Sequence, residues 1–419
     1  MKLIKTSFFS AIITVIRIGS GFVAGKFVAI FTGPSGVAVI GQFVNFITII
    51  LTFANGAINA GVVKYTAEYE DDDRKLKLLF STSLKISVYS SAIIGILLLF
   101  TASYFSLWIF ESPIYINPLR VLGVTAILYS LNSLFISILN GKKQINIYTI
   151  VNTAGSIIGL IFTIALVYFY KLEGALYSLV LSQAIVFFVT LILIIKSDWF
   201  SWSYFNQKFD KELALKLSKF GLMAVVSSIT GPVSQILLRK ILVAKLDIDS
   251  AGYWQGMMRI SDGYLLLIIT SLSTYYLPKL SSLHTDKELR QEILNGYKIV
   301  LPLVFVGCVV IYFMRFLIIK TLYTSDFQHM ESLFLFQLIG DFFKIAAWML
   351  GYLIVAKAMT KIYIISEILF GISYVLLGYI FVHFFKLNGI SIAFAANYFI
   401  YLLVVLFIFR KLIFGHVKS

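Results

Sequence analysis

Lys171-Leu172-Glu173-Gly174 returns later in the chain as Lys386-Leu387-Asn388-Gly389, a shift of 215 residues. Working outward from it, Lys142 with Ile147-Tyr148 and Ile150 recurs as Lys357 with Ile362-Tyr363 and Ile365, again at 215. Asp73-Arg74-Lys75-Leu76-Lys77, with Lys85-Ile86 beyond, recurs as Asp286-Lys287-Glu288-Leu289-Arg290, with Lys298-Ile299, at 213. Three separate matches on nearly one shift mark a duplication of one half of the chain in the other.

The duplication is written in a sequence made for lipid. Of 419 residues, 59% are hydrophobic and 13% charged, with a mean hydropathy of +0.92. Soluble domains carry about 25% charged residues, so a water-facing globule is excluded. Apolar runs of roughly 20 residues, each able to cross a hydrocarbon core of about 30 Å, recur throughout. They predict twelve spans, at about 8–30, 37–62, 82–107, 117–139, 146–169, 174–195, 219–243, 251–276, 295–319, 329–355, 362–384 and 389–412. Strands of a β-barrel would be half as long and would alternate, which these runs do not. The first run follows Lys2 and Lys5 but is too long for a signal peptide, and Gly33-Pro34-Ser35-Gly36 leads into another span, so a retained helix is expected. Cys308, the single cysteine, falls inside a span and permits no disulfide within the chain.

The net charge of +15 is distributed by side. Lys64, Arg74, Lys75, Lys77 and Lys85 flank one loop, Lys142 and Lys143 another, and Lys196, Lys208, Lys211, Lys216 and Lys219 a third. Lys279, Lys287, Arg290 and Lys298, then Lys357 and Lys361, then Arg410, Lys411 and Lys418 complete the same side; the opposite loops hold little beyond Arg120, Lys171, Lys245, Lys320 and Lys386. By the positive-inside rule both termini are cytoplasmic. The basic excess is topology plus attraction to anionic lipid headgroups, not a nucleic-acid surface.

The expected fold is therefore an all-α polytopic membrane protein: twelve transmembrane helices in two six-helix repeats around a central cleft, both termini cytoplasmic. Six spans per repeat is even, so the repeats are parallel, related by an axis along the membrane normal. Residues 1–195 form one lobe and 219–419 the other. The polar stretch 196–218, with Trp199, Trp202 and Tyr204, is a cytoplasmic linker at headgroup level. Duplicated membrane proteins of this kind work at the seam between halves, which points to a transporter.

No enzyme is expected. There is no Gly-rich phosphate loop followed by Lys-Ser/Thr, and no nucleophile-and-base motif. His284, His329, His383 and His416 are scattered, so neither a metal nor another cofactor is implied. What remains is charge inside spans. Arg17 lies about ten residues into the first, roughly 15 Å deep. Arg259 and Asp262 sit at similar depth in the eighth, at i and i+3; Asp341 and Lys344 repeat that spacing in the tenth. A charge at the bilayer centre costs at least about 2.5–3.5 kcal/mol, so each needs a partner or a hydrated cavity. Two readings stand: neutralised structural pairs, or a cavity lining for an anionic substrate. Arg17 has no acidic residue within one turn. Lys26 and Arg239 are equivalent across the repeat, near the outer ends of their spans, placed either to snorkel or to line the outer mouth of the cleft. Glu367 is shallow on the cytoplasmic side. Asn45, Asn55, Asn59 and Gln255 offer amides to sugar hydroxyls or to neighbouring helices. Trp254 is placed to stack on a sugar ring or to sit at an interface.

Several stretches carry a family resemblance: Arg17-Ile18-Gly19, Gly25-Lys26, Gly33-Pro34-Ser35-Gly36, Lys64-Tyr65, Arg239-Lys240, Trp254-Gln255-Gly256, Ile260-Ser261-Asp262, Gly340-Asp341 with Lys344, Gly351-Tyr352 and Ala356-Lys357-Ala358. Over nearly its whole length the chain resembles the Wzx-type flippases of bacterial surface polysaccharides (O-antigen and enterobacterial common antigen translocases), of the multidrug/oligosaccharidyl-lipid/polysaccharide exporter superfamily. The resemblance implies two six-helix lobes around a central cleft in the bacterial inner membrane. It implies transfer of an undecaprenyl-diphosphate-linked oligosaccharide from the inner to the outer leaflet, with a polysaccharide polymerase and a chain-length regulator as partners. It makes Arg17 and Lys26 candidates for the diphosphate; the cost of charge inside spans and the repeat add Arg239, Arg259 and Lys344 as further candidate cleft cations. Arg17 stands where lysine is expected in near relatives, which keeps the charge and adds a bidentate grip.

Two other functions compete. A cation-coupled exporter of drugs or small amphipaths would use Asp262, Asp341 and Glu367 for coupling ions, but the basic set in the spans suits an anionic cargo. A membrane polymerase or ligase of glycans is disfavoured by the duplication and by outer loops no longer than about ten residues.

Overall fold

The computed structural model describes residues 2–415, apart from the side chains of 2–12, 219, 220 and 274; the side chains of Lys2, Lys5, Lys219, His416 and Lys418 thus lie outside it. Nearly everything described is helix, the form in which an apolar run bonds its own backbone groups in lipid. α1 (Lys2–Ala54) is broken at Gly33, whose φ of 62° precedes Pro34. α2 (Asn59–Glu68) leads to α3 (Asp73–Phe110), capped by the Asp72 side chain accepting from the Lys75 amide. α4 (Ile116–Gly141) and α5 (Ile145–Ile195) follow, α5 broken at Lys171. α6 (Lys211–Lys245) and α7 (Ile248–Ser271) run through a π-helical turn into the short α8 (Leu277–Ser282). α9 (Asp286–Leu322) opens on a capping box of Thr285 and Glu288. α10 (Phe334–Ala356), α11 (Thr360–Phe385), α12 (Leu387–Ile408) and the short α13 (Arg410–Phe414) complete the chain.

Among the described residues nine helices are long and apolar enough to cross a membrane. α7 is not one of them, since Gln255, Arg259 and Asp262 make it too polar. The shared fold is that of a multi-pass helical membrane protein.

The duplication is visible in the backbone. Lys171 and Lys386 both hold φ of 52° with ψ of −126° and −132°, a turn that folds one span back onto the next. Lys143 and Ala358, also 215 apart, both have positive φ. Around them Lys142 N–H bonds Ile138 O and Gln144 N–H bonds Leu139 O, matched by Lys357 to Leu353 and Met359 to Ile354. The two reversals explain the glycine shared by the opening tetrapeptides. A Cβ on Gly174 would stand 1.9 Å from the Leu166 carbonyl oxygen, and one on Gly389 would stand 2.1 Å from that of Phe381, again 215 apart. Both clashes are with backbone, which cannot yield as a side chain can. Gly174→Ala and Gly389→Ala should therefore each destabilise by about 1–3 kcal/mol or more despite alanine's better helix propensity. Thermal unfolding in detergent reads this out, and an unchanged Tm for either would show that the reversal tolerates a side chain.

By contacts the chain divides into two compact units: Met1–Thr32 with Val39–Pro232, and Gly33–Ala38 with Val233–Ser419. In the first, Ile58, Val62, Leu79, Phe80, Leu134 and Ile138 form a core around α2, α3 and α4. Gly95 and Gly123 let the α3 and α4 backbones touch, the small-residue crossing usual in membranes. The stretch 196–218 belongs to this unit and is pinned to α3. Ser81 Oγ donates to Gln207 O (2.7 Å), Lys85 Nζ to the same oxygen (2.6 Å), and the Asp210 amide to Thr82 Oγ1 (3.2 Å). Tyr204 donates to Asp73, and Lys142 lies over the rings of Phe80, Trp199 and Tyr204 at 5.9, 4.9 and 5.7 Å.

Burial and the hydrogen bond to Asp73 raise the Tyr204 phenol to about 12. Its contribution to linker docking is full below the ordinary tyrosine value near 10 and is lost as pH rises through the folded value. Protease sensitivity of residues 196–210 should thus rise between about pH 10 and 12, and Tyr204→Phe should remove that step.

In the second unit, Trp254, Phe327, Phe334, Met349, Leu350 and Phe394 are buried. Gly252 rides on the turn after Gly33: a Cβ there would meet the Pro34 carbonyl oxygen at 2.0 Å.

Candidate functional site

The densest polar cluster lies where α7 meets α10 in the second unit. Asp341 is fully buried. Its carboxylate accepts from Ser261 Oγ, 2.7 Å from both oxygens, from the Tyr264 hydroxyl, and from Gln337 Nε2 at 3.4 Å. Lys344 is one turn further along and buried, with its side chain 8% exposed. It leans away from Asp341, over Trp348 at 5.0 Å and towards Phe394 and Tyr398, both at 5.8 Å. Its ammonium lies 3.7 Å from Asp262, whose side chain is 61% exposed.

The i,i+3 spacing within each span is thus not where the partners are. The ion pair Lys344–Asp262 bridges α10 to α7, and Asp341 is held by hydroxyls and an amide. The reason is reach: a lysine that leans towards i+4 leaves its i−3 carboxylate to whatever donors the facing helix brings. Ser261 and Tyr264 are those donors. The sequence signal for them was slight, two hydroxyls three residues apart on one helix face. Arg259 is half-buried on α7 and interacts with Tyr323. The cluster itself holds one cation, Lys344, and two carboxylates, Asp341 and Asp262, so it is not a cationic site.

A second cluster, on α6 and α7, absorbs three of the candidate residues. Arg239 is 3% exposed; it donates to the Gln255 side-chain oxygen and stacks 5.5 Å above Trp254. Trp254 is fully buried under it. The guanidinium lies over the indole face that the sequence offered to a sugar or to an interface.

In the first unit, Asn55 and Asn59 Nδ2 atoms donate to Ser133 Oγ at 3.4 and 2.7 Å, joining helices. Asn45 is buried and already partnered, and Lys26 is half-buried and engaged. Glu367, half-buried on α11, interacts with Tyr398 and Tyr401.

Arg17 differs from all of these. It sits near the middle of the straight stretch 2–32, its side chain is exposed, and among the described residues it makes no salt bridge. Tyr129 of α4 is the ionisable group that feels its charge. A guanidinium in hydrocarbon at mid-span would cost at least about 2.5–3.5 kcal/mol.

Comparison with known proteins agrees with this picture. A family model described as "Polysaccharide biosynthesis protein" matches residues 11–332. The lipid III flippases of Escherichia coli (strain K12) and Shigella flexneri are each 33% identical over 371 residues, covering 88% of this chain and 88% of theirs. The chain belongs to the Wzx-type flippases of this polysaccharide biosynthesis family.

The fold of this flippase family member is shared with solved transporters. An inward-facing multidrug resistance MATE transporter of the MOP superfamily superposes with a TM-score of 0.79 at 16% identity, over 95% of this chain and 98% of that one. A MOP superfamily transporter from Pyrococcus furiosus gives 0.73 at 17%, over 98% and 96%. Family and helices together make it a multi-pass protein of the bacterial inner membrane. Within it, Asp341, Arg239, Gln255, Trp254, Asn55 and Asn59 are engaged by neighbouring side chains, and Arg17 and Asp262 keep exposed charge.

Proposed function

We propose that this protein carries an undecaprenyl-diphosphate-linked oligosaccharide from the inner to the outer leaflet by alternating access, with lobes 1–195 and 219–419 rocking about the linker 196–218. The observation that carries this reading is the exposed mid-span cation Arg17, in a chain whose curated relatives are lipid III flippases. Prenyl hydrocarbon needs no cover in a bilayer. The diphosphate does, and a guanidinium is the side chain that grips it bidentately. A polysaccharide polymerase, working with a chain-length regulator, is the natural consumer of the product. The test is complementation of a deletion strain, scored by surface polysaccharide and by the leaflet in which the lipid-linked unit accumulates. Normal polysaccharide in the deletion strain, or export of a small amphipathic dye in place of the lipid-linked unit, would overturn the assignment.

The topology we propose has twelve spans. Two of the nine apolar helices are broken, at Gly33 and Lys171, and each part is long enough to cross on its own. α7 supplies the remaining span, its polar residues turned to Asp341 and Lys344. With basic loops inside, a reporter fused after Tyr204 should read cytoplasmic and one in the Ser112–Ile116 loop periplasmic. The reverse pattern would invert the topology and the direction of transport with it.

A further inference from the structure

The second unit ends in a corner whose charge is of one sign. After Glu367 the chain holds no further Asp or Glu to residue 419. α12 is an apolar span, and Ile400, Leu403, Val404 and Phe407 form an exposed stripe along it at helical spacing. On a membrane span such a stripe meets lipid chains. At Phe409 the helix breaks, with φ of −97° and ψ of 16°, and α13 turns off. Two contacts hold α13 in place. Ile413 is buried, and Arg290 Nη1 of α9 donates to the Gly415 carbonyl at 3.0 Å. Arg410, Lys411 and Phe414 stay exposed. The Arg410 guanidinium lies 4.0 Å from the centre of the Phe407 ring, which joins the cation directly to the end of the apolar stripe.

Neither Arg410 nor Lys411 makes a salt bridge among the described residues. The first turns of α9, against which α13 packs, are neutral in sum: Asp286, Glu288 and Glu292 are offset by Lys287, Arg290 and Lys298, and Glu288 is closed into the capping box. The two cations of α13 are therefore not cancelled by their neighbours. From the hydrocarbon outward the order is apolar stripe, guanidinium on an aromatic ring, then ammonium. A phospholipid has the same order, chain then phosphate. We propose that this corner is a binding site for an anionic phospholipid, with an acyl chain along the α12 stripe and the phosphate at Arg410 and Lys411. A zwitterionic headgroup brings an ammonium that these two cations repel, and a phosphatidylglycerol headgroup does not. The proposal needs only that α12 spans the membrane. It does not depend on what the protein transports, so failure of the flippase reading would leave it standing.

The experiment uses the full chain in vesicles of phosphatidylcholine and phosphatidylglycerol in equal parts, with matched acyl chains. Benzoylphenylalanine replaces Phe414 (71% exposed) or, as a control on an exposed apolar surface of the first unit, Phe100 (84% exposed). Irradiation should attach phosphatidylglycerol at Phe414 about tenfold more than phosphatidylcholine, and the two equally at Phe100. Arg410→Gln and Lys411→Gln should each lower that preference about threefold, and the double variant should abolish it. Arg410→Lys should keep most of it, since the charge remains. Lys196→Gln, which removes an exposed charge from the first unit, should leave it unchanged, as a diffuse attraction to the whole basic side would not. Inorganic phosphate in millimolar excess should also leave it unchanged, because a free anion makes no use of the stripe. Equal attachment of both lipids at Phe414 overturns the site. So does a preference that survives the double variant, a fall of the same size from Lys196→Gln, or displacement by inorganic phosphate.

Discussion

Arg17→Ala is expected to abolish export while protein abundance stays near normal. The side chain is exposed at mid-span and makes no salt bridge among the described residues, so its removal leaves no carboxylate stranded. It also lifts an insertion cost, which argues against a folding defect. What is lost is the contact with the diphosphate. Hydrogen bonds to a charged partner contribute about 1.5–3 kcal/mol each, and two of them correspond to a hundredfold or more in affinity. Arg17→Lys should keep part of the activity, because the charge remains and the fork does not. The repeat sets Thr230 opposite Arg17 at the shift of 213, so this charge breaks the pseudo-symmetry, as a binding group is free to do and a fold-keeping one need not. The assay is complementation with the lipid-linked unit tracked by leaflet. Full export by Arg17→Gln at normal expression would sink the idea.

Lys344→Met should show the opposite pattern, with abundance and Tm falling together with export. The direct link to Asp262 at 3.7 Å contributes little, about 0–1 kcal/mol, because Asp262 is largely exposed. The larger cost falls on Asp341, fully buried and left with neutral donors and no cation nearby. Breaking a buried charge arrangement in this way costs about 3–5 kcal/mol. Adding Asp341→Asn to Lys344→Met should restore abundance, since the Asn oxygen still accepts from Ser261 and Tyr264. Export then separates the two roles of Lys344. If the lysine serves only the packing of α7 on α10, the double variant exports. If it also meets the substrate, the double variant is stable and inactive, which is the outcome we expect. Normal export by Lys344→Met alone would remove this residue from the site.

Most of the fold was legible because lipid simplifies the reading. A span must be helical, apolar and about 20 residues long, so length and hydropathy find it without tertiary knowledge. The duplication was legible for a related reason. Gly174 and Gly389 are fixed by local backbone geometry, and the reversals at Lys171 and Lys386 repeat to within a few degrees. α7 shows the limit. Its span was expected at 251–276, but only the contacts of Ser261 and Tyr264 with Asp341 show why its polar residues are there.

The sequence by itself determined the class of molecule, its repeat, the candidate charges and the family, because each depends on residues near one another in the chain or on composition. Partnership was decided by the tertiary structure. Spacing offered Asp341 to Lys344 and Arg259 to Asp262, yet Lys344 lies against Asp262 and Asp341 against hydroxyls of α7. Trp254 was placed for a sugar or for an interface, and the structure puts Arg239 over its ring. Helix periodicity tells which residues share a face. Which face meets which is set by the crossing of helices far apart in sequence, and there the lowest-cost pairing of buried charges and hydroxyls is chosen.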